Sequence, residues 1–486
     1  MVVLPDTART TFVAGAWTAG TGERFTSVDP STGAPLGEWT GSGPDQVDAA
    51  VAAARSAFLD WRDAVPADRA AVLRRLADRL EREHEPLARL VATEVGSPIT
   101  LARTLQTATP VANLRWAAER ALAGPRGGYR EELPPLAGPA PAGSVLLRRG
   151  IGVVAAVTPY NYPLNMAAWK VGPALAAGCP VVLLPSPRGT LCTLALVRLA
   201  EEAGVPPGVL NLVTGGAEVG QRLTGHRDVD LVTFTGSNAV GREVARAAAE
   251  HHTKVVLELG GKSPTVVLPG ADLDRVVGAS VLRFCRNAGQ GCGATTRILV
   301  HRDDADAFVS RAVRFLEEQV PTGDPQDETT EVGPLISAEH RERVEAYLAR
   351  AVERGAQVLT GGRRGDGPGF HLLPTLVTGV GPDDELCQEE LFAPVAVVLT
   401  YDTVDEAVAI ANHSRYGLNA LVWGPHDDAV AVARRLETGT VAINGGGGAR
   451  PDVPWVGAKR SGTGAEMGED GFAEFFTVQH LQWSTA

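Results

Sequence analysis

Past residue 144 the chain alternates between short apolar runs and segments in which apolar residues recur every third or fourth position. The runs Gly152–Thr158, Pro180–Leu184, Val209–Val213 and Leu231–Phe234 read as buried strands. Between and after them, Ala167–Ala177, Leu191–Ala203, Ala217–Thr224 and Asn238–Glu250 read as helices. This rhythm predicts βαβ units, hence a parallel sheet covered by helices. Such sheets bind ligands beyond the carboxyl ends of their strands, so the loops Thr158–Leu164, Pro185–Arg188 and Thr235–Gly241 should face one crevice.

The N-terminal part is patterned differently. Thr11–Trp17 and Glu23–Asp29 read as short strands, followed by a turn at Pro30-Ser31-Thr32-Gly33. Asp45–Trp61 predicts an amphipathic helix with Val47, Val51, Ala54 and Phe58 on one face, and helical patterning resumes over Ala67–Val95 and Thr100–Ala123. The stretch 124–143, rich in proline and glycine, breaks that pattern and reads as a flexible loop or as an arm reaching a neighbouring subunit. A second α/β region is expected from about residue 260 to 443, with helices at Asp304–Glu318, Ala338–Arg354, Val404–Asn412 and Asp427–Glu437. The chain ends in a strand-like Phe472–Trp483.

Composition narrows the function classes. A chain of 486 residues is too long for one small core and suggests several domains. The net charge of −12, without a basic cluster, speaks against nucleic acid as a partner. No apolar stretch is long enough to span a bilayer, and the N-terminus lacks a signal-peptide pattern, so no membrane partner is expected. The five cysteines, at 179, 192, 285, 292 and 387, are odd in number and without paired spacing. That pattern predicts no disulfide framework, no metal site and a reducing, cytoplasmic location. Lysine occurs only at 170, 254, 262 and 459, against an abundance of arginine, which hints at a local need for a compact ammonium.

The candidate chemistry lies at the predicted strand ends and loops. In Phe284-Cys285-Arg286-Asn287-Ala288-Gly289-Gln290-Gly291-Cys292-Gly293 a cysteine stands between two glycines, which leaves a reactant room to approach. A lone cysteine is more often a core residue, so Cys292 needs support from elsewhere. Leu257-Glu258-Leu259 sets a carboxylate in apolar surroundings, where a raised pKa suits a general base. Thr158-Pro159-Tyr160-Asn161-Tyr162-Pro163 holds one amide rigidly, a suitable donor to a developing oxyanion. Thr235-Gly236-Ser237 opens a helix whose N-terminus suits a pyrophosphate. Gly260-Gly261-Lys262-Ser263 is no P-loop, since the required earlier glycine is Val256.

Over nearly its whole length the chain resembles the aldehyde dehydrogenase superfamily. Ala168-Trp169-Lys170-Val171-Gly172-Pro173, Gln388-Glu389-Glu390-Leu391-Phe392 and Lys459-Arg460-Ser461-Gly462-Thr463-Gly464-Ala465-Glu466 add to the motifs above, in family order and spacing. The resemblance implies an α/β fold: a Rossmann-like cofactor domain (1–123 and 144–258), a second α/β catalytic domain (259–448) and a small β oligomerisation arm (124–143 and 465–486). It implies NAD(P)-dependent oxidation of an aldehyde to the acid through a cysteine thiohemiacetal and thioester. Cys292 would be the nucleophile, Glu258 the base that activates water, Asn161 the oxyanion donor, and Lys170 a proton relay or loop support. Thr158, Pro159, Tyr160, Ser186 and Arg188 would hold the cofactor, as would Thr235, Gly236, Ser237, Val240, Gly241 and Leu259. Glu390 and Phe392 would hold the nicotinamide ribose and ring. The expected assembly is a homodimer or homotetramer.

Departures from the family pattern carry information. The lysine usual at the end of the second strand of this region is Leu184, and the glutamate often found three residues on is Pro187, with Arg188 beside it. The first change predicts weak cofactor binding; the second allows NADP as well as NAD. Arg286, six residues before Cys292, matches an arginine that binds the far carboxylate in relatives acting on succinic semialdehyde, but the second arginine of that set is Trp169 here. Trp169, Gly291, Gly293 and Trp455 suggest a roomy apolar pocket for an aromatic or medium aliphatic aldehyde. The alternatives are a semialdehyde dehydrogenase using Arg286, a CoA-acylating or acyl-phosphate-reducing relative, and a catalytically silent or cofactor-weak protein on the same fold.

Overall fold

A computed structural model describes residues 4–136, 142–446 and 450–485. Residues 137–141 of the proline- and glycine-rich stretch, and residues 447–449, lie outside the described residues.

The first sheet has five parallel strands in the spatial order Leu210–Leu212, Val181–Pro185, Val154–Thr158, Leu231–Thr235, Lys254–Glu258. Its strands read as unbroken apolar runs because both faces are covered. Val154, Ala156, Val181 and Leu183 enter one core with the helices between residues 66 and 123. Their neighbours Ala155, Val182 and Leu184 point the other way, into a core with Val47, Val51 and Ala54 of the helix Pro44–Asp63. The strand order reverses between Val154–Thr158 and Leu231–Thr235, where a ligand crevice opens.

The second sheet runs Gln357–Thr360, Thr375–Thr378, Val395–Tyr401, Thr295–His301, Ser263–Val267, Asn419–Trp423, Thr440–Ile443, parallel except at its first pair. Only Leu259-Gly260-Gly261-Lys262 separates the last parallel strand of the first sheet from Ser263–Val267. The carboxyl ends of the first sheet therefore face the amino ends of the second, and the crevice lies between them. The glycine pair makes this link possible. A Cβ at Gly260 would lie 2.2 Å from a carboxylate oxygen of Glu390, and one at Gly261 would lie 2.4 Å from the carbonyl oxygen of Cys292.

Several expectations are corrected. Thr11–Trp17 is a tight hairpin, Thr11–Val13 with Ala16–Thr18, because Ala14 and Gly15 both take positive φ, 50° and 82°. The pattern over Ala67–Val95 is two helices, Pro66–Arg82 and His84–Val95. The helix Leu273–Cys285, which delivers the nucleophile loop, was not distinguished in the sequence. Phe472–Trp483 begins as the end of a helix, Gly468–Ala473, before the strand Phe476–Ser484. That strand pairs with Ala142–Gly150, which pairs in turn with Arg130–Leu136. Residues 144–150 thus belong to this separate three-stranded sheet and not to the cofactor unit, whereas Ala465–Glu466 pairs with Trp455–Val456 beside the crevice. None of the helices among the described residues is long and apolar enough to cross a membrane.

Candidate active site

The nucleophile loop is bent sharply and held from many sides. After the helix Leu273–Cys285, Asn287 and Ala288 (both φ 53°) and Gly289 (φ 70°) turn left-handed in succession. Gly289 admits no side chain, since a Cβ there would lie 2.1 Å from the carbonyl oxygen of Ala393. For Ala288 this conformation costs of order 1–3 kcal/mol, tolerated because the surroundings over-determine it. Much of that comes from the buried Gln290. Its Oε1 accepts from the Ile336 N–H (3.0 Å) and the Tyr160 hydroxyl (3.2 Å), and its Nε2 donates to the carbonyls of Asn287 (3.2 Å) and Pro334 (3.3 Å).

Cys292 follows, half-buried and lining the crevice. Burial pushes its thiol pKa up, as do the carboxylates of Glu258 and Glu390, while the Gly293 N–H pulls it down. The flanking glycines are walls. A Cβ on Gly293 would come within 3.1 Å of the Trp455 ring, and one on Gly291 within 3.3 Å of the Tyr162 hydroxyl. The Gly293 carbonyl is fixed by the Asn419 side-chain amide (2.9 Å).

Glu258 ends its strand inside the crevice rather than in solvent, only 3 % exposed. Neither of its carboxylate oxygens has a hydrogen-bond partner among the described residues. Burial and the nearby Glu466 carboxylate push its pKa well up, with Lys170 opposing. Lys170 does not line the crevice. Wholly buried behind it, the lysine donates to Glu466 and to the Thr233 hydroxyl (2.9 Å).

Asn161 donates from Nδ2 to the carbonyl of Gln290 (2.8 Å), which fixes the orientation of its amide and leaves the second N–H free. Its own backbone carbonyl accepts two side-chain amides, from Gln106 (2.9 Å) and Asn287 (3.0 Å).

A cavity of about 1980 Å³ runs past Cys292, Glu258 and Asn161 and on over the first sheet. That is about twice the upper end for a drug-sized ligand, and so is room for a dinucleotide beside a substrate. Along it lie Thr158, Pro159, Tyr160, Ser186, Arg188, Thr235, Gly236 and Ser237. Val240, Leu259, Glu390 and Phe392 also line it. Ser237 caps the helix Asn238–Ala249 and aims its N-terminus at this space. The hydroxyls of Thr158 and Thr235 are buried there without protein partners, as fits a ligand supplying them. Glu390 accepts from the Gly261 N–H (2.9 Å), and burial raises its pKa to about 7. Gly241 is the exception. It does not line the cavity but lets its helix close on Leu259, whose Cδ2 would lie 2.6 Å from a Cβ there.

At the other end the cavity is bounded by Leu105, Met166, Trp169 and Trp455, with the two indole rings 6.4 Å apart. Arg286 lines it and is exposed. Arg283, which no motif in the sequence singles out, lines it too, and its pKa is lowered by burial and by the like charge of Arg286. Neither arginine forms an ion pair with a carboxylate among the described residues. Their spacing of three residues at a helix end was the available signal.

A cysteine lining the crevice, a buried unpaired carboxylate and room for a dinucleotide on a parallel sheet fit a thiol-dependent oxidoreductase. The chain belongs to the aldehyde dehydrogenase family, whose model matches residues 17–481. Among similar proteins, hydroxyisobutyraldehyde dehydrogenase of Mycolicibacterium austroafricanum is 39% identical, covering 97% of this chain and 92% of that one. Geranial dehydrogenase of Castellaniella defragrans is 40% identical, covering 96% of each. The crystal structure of aldehyde dehydrogenase C from Pseudomonas syringae, a mutant with NAD+ and octanal, is 37% identical, with a TM-score of 0.93 over 99% of this chain and 98% of that one. The protein is an enzyme that oxidises an aldehyde with a nicotinamide cofactor.

Proposed function

We propose that this enzyme converts an aldehyde with an apolar, aromatic or medium aliphatic body to its carboxylic acid through a covalent Cys292 intermediate. The carrying observation is Glu258: a buried carboxylate with no protein partner beside a nucleophile, free to act on a proton. The Cys292 sulfur attacks the carbonyl carbon, and the free N–H of Asn161 donates to the oxyanion. NAD or NADP, when bound, supplies the hydride acceptor. Glu258 then takes a proton from the water that attacks the thioester, and its raised pKa makes it a stronger base than an exposed carboxylate. Lys170 does not touch the substrate space: its charge opposes the rise in the Glu258 pKa, and it pairs with Glu466, whose carboxylate drives that rise. The indole walls support the apolar substrate, as do the relative named for geranial and the one whose structure holds octanal. The test is reduced-cofactor formation over a panel of aldehydes with each cofactor separately. No signal at millimolar cofactor would favour a silent protein.

Cofactor affinity should be weak. Leu184 lines the cavity beside Gly220 with no polar atom to offer. A missing charge-assisted bond costs about 1.5–3 kcal/mol, roughly ten- to a hundredfold in affinity. Leu184→Lys should recover about tenfold in the dissociation constant by fluorescence titration, its stem lying along the leucine's place and its ammonium reaching the cavity. Unchanged affinity would refute this.

A second reading rests on Arg283 and Arg286. Two guanidiniums without carboxylates at the cavity wall favour an aldehyde bearing a distal anion. On that reading kcat/KM for succinic semialdehyde exceeds that for butanal, and Arg283→Leu or Arg286→Leu lowers the ratio by about tenfold, one charge-assisted contact each. A preference for butanal that neither variant changes removes it.

Homo-oligomer formation is assigned to the three-stranded arm. Its outer strand exposes Val478, Leu481 and Trp483, and light scattering that gave a monomer mass would exclude this. The five free cysteines support a reducing, cytoplasmic compartment. Full retention of activity after export to an oxidising compartment would count against it.

A further inference from the structure

The helix that begins at Ile99 and ends at Ala123 is not regular. Between Ala102 and Ala108 it widens into a π-helical turn. Pro110 supplies the reason. It has no N–H for the carbonyl of Gln106, and in a regular helix its ring would press on that carbonyl. Threonine hydroxyls serve the widened turn: Thr107 donates to the carbonyl of Ala102 (3.2 Å) and Thr109 to that of Thr104 (3.3 Å), each five residues back. Single π turns of this kind recur at functional sites.

This one presents two neighbouring side chains to the reaction centre. Leu105 lines the substrate end of the cavity. Gln106, wholly buried, donates its amide to the backbone carbonyl of Asn161 (2.9 Å), and its Oε1 has no partner. Asn287, held left-handed just ahead of the nucleophile, donates to the same carbonyl (3.0 Å). One carbonyl is thus clamped from the π turn on one side and from the Cys292 loop on the other. The clamp fixes the backbone of Asn161, whose side chain lines the cavity beside Cys292.

We propose that Gln106 is a positioning residue for the reaction. Delivered by the Pro110-induced π turn, it holds Asn161 so that the free amide N–H meets the oxyanion. This rests on Asn161 being the oxyanion donor. The wide turn swings Gln106 off the path of a regular helix toward that loop. A displacement of an ångström at a donor of this kind can cost about a hundredfold in rate.

The test is a double-variant cycle. Gln106→Met keeps the volume and removes the donor. It should lower kcat by about ten- to a hundredfold with KM little changed, leaving the thermal midpoint and the alkylation rate of Cys292 as in the parent. In an Asn161→Ala background the same change should cost less than about twofold, because the donor it positions is already gone. Gln106→Glu gives a second readout that does not depend on the methionine variant folding. Protonated, its carboxyl can donate as the amide did; ionised, it repels the carbonyl. Its activity should therefore fall as pH rises through a new titration, one absent from the parent. Burial raises the pKa of other buried carboxyls in this protein to about 7, at Glu94 and Glu390. The proposal is overturned if Gln106→Met is as active as the parent while Asn161→Ala is impaired, if the two losses multiply, or if Gln106→Glu shows no new titration. Full activity in Asn161→Ala would overturn the oxyanion assignment itself, and the positioning role with it.

Discussion

Replacing Cys292 with alanine is expected to abolish aldehyde oxidation, lowering kcat/KM by at least about 10⁴-fold, in line with the loss of other covalent nucleophiles. The fold should not suffer. The side chain is small and half-buried, and the loop around it is fixed by Gln290, Asn287 and Gly289 rather than by the thiol. Cofactor titration should therefore give the parent affinity while the single-turnover signal vanishes. A variant that still produced reduced cofactor with an aldehyde in single-turnover experiments would rule out Cys292 as the attacking group. The resting thiol is held protonated by burial and by the carboxylates of Glu258 and Glu390. Alkylation of Cys292 should accordingly be slow near neutral pH and quicken as pH rises, since the thiolate is the reacting form.

Glu258→Gln separates the two halves of the reaction. Acylation should proceed and hydrolysis should stall, giving a burst of about one reduced cofactor per active site and a steady-state rate lower by about 10²–10⁴-fold. The pH dependence has a definite sign. Burial and Glu466 raise the Glu258 pKa, so the base form is the minor one at low pH and grows as pH rises. Hydrolysis in the parent should speed up through a pKa well above that of a free carboxylate, and the glutamine variant should lose that rise. A linear time course at the parent rate, with no burst, would mean another group activates the water. A CoA-acylating enzyme would differ in a visible way, with turnover in the parent requiring the added thiol.

Much of the site was legible because its parts are local. Asn161 lies in a loop stiffened by two prolines, Ser237 at a strand-to-helix turn, and Cys292 between two glycines. What was missed depends on distant partners. The pairing of Glu466 with Lys170 joins residues 296 positions apart in the chain. Gly241 looked like a phosphate-loop glycine, and only the packing of its helix on Leu259 gives its real use. The same holds for Gly260 and Gly261, whose sequence resembles a phosphate loop and whose use is close passage between Glu390 and the Cys292 backbone. Gln106 gave no signal at all, since a glutamine inside a helical pattern normally faces solvent. Arg283 likewise became visible only when its helix end was placed at the cavity wall.

By itself the sequence determined two helix-covered sheets. Unbroken apolar strands with amphipathic segments between them have few other ways to bury both faces. It also determined the family, through the order and spacing of its motifs. Only the tertiary structure decided which charges meet. The order of strands in a sheet is not a local property, and it brings the carboxyl end of Lys254–Glu258 against the loop that leads into Thr295–His301. That meeting puts Glu258 and Cys292 on one crevice, buries the first and half-buries the second, and shifts both pKa values upward. Burial depends on neighbours from the whole chain, so a list of residues could name these groups but not how strongly each is driven to give up or take a proton.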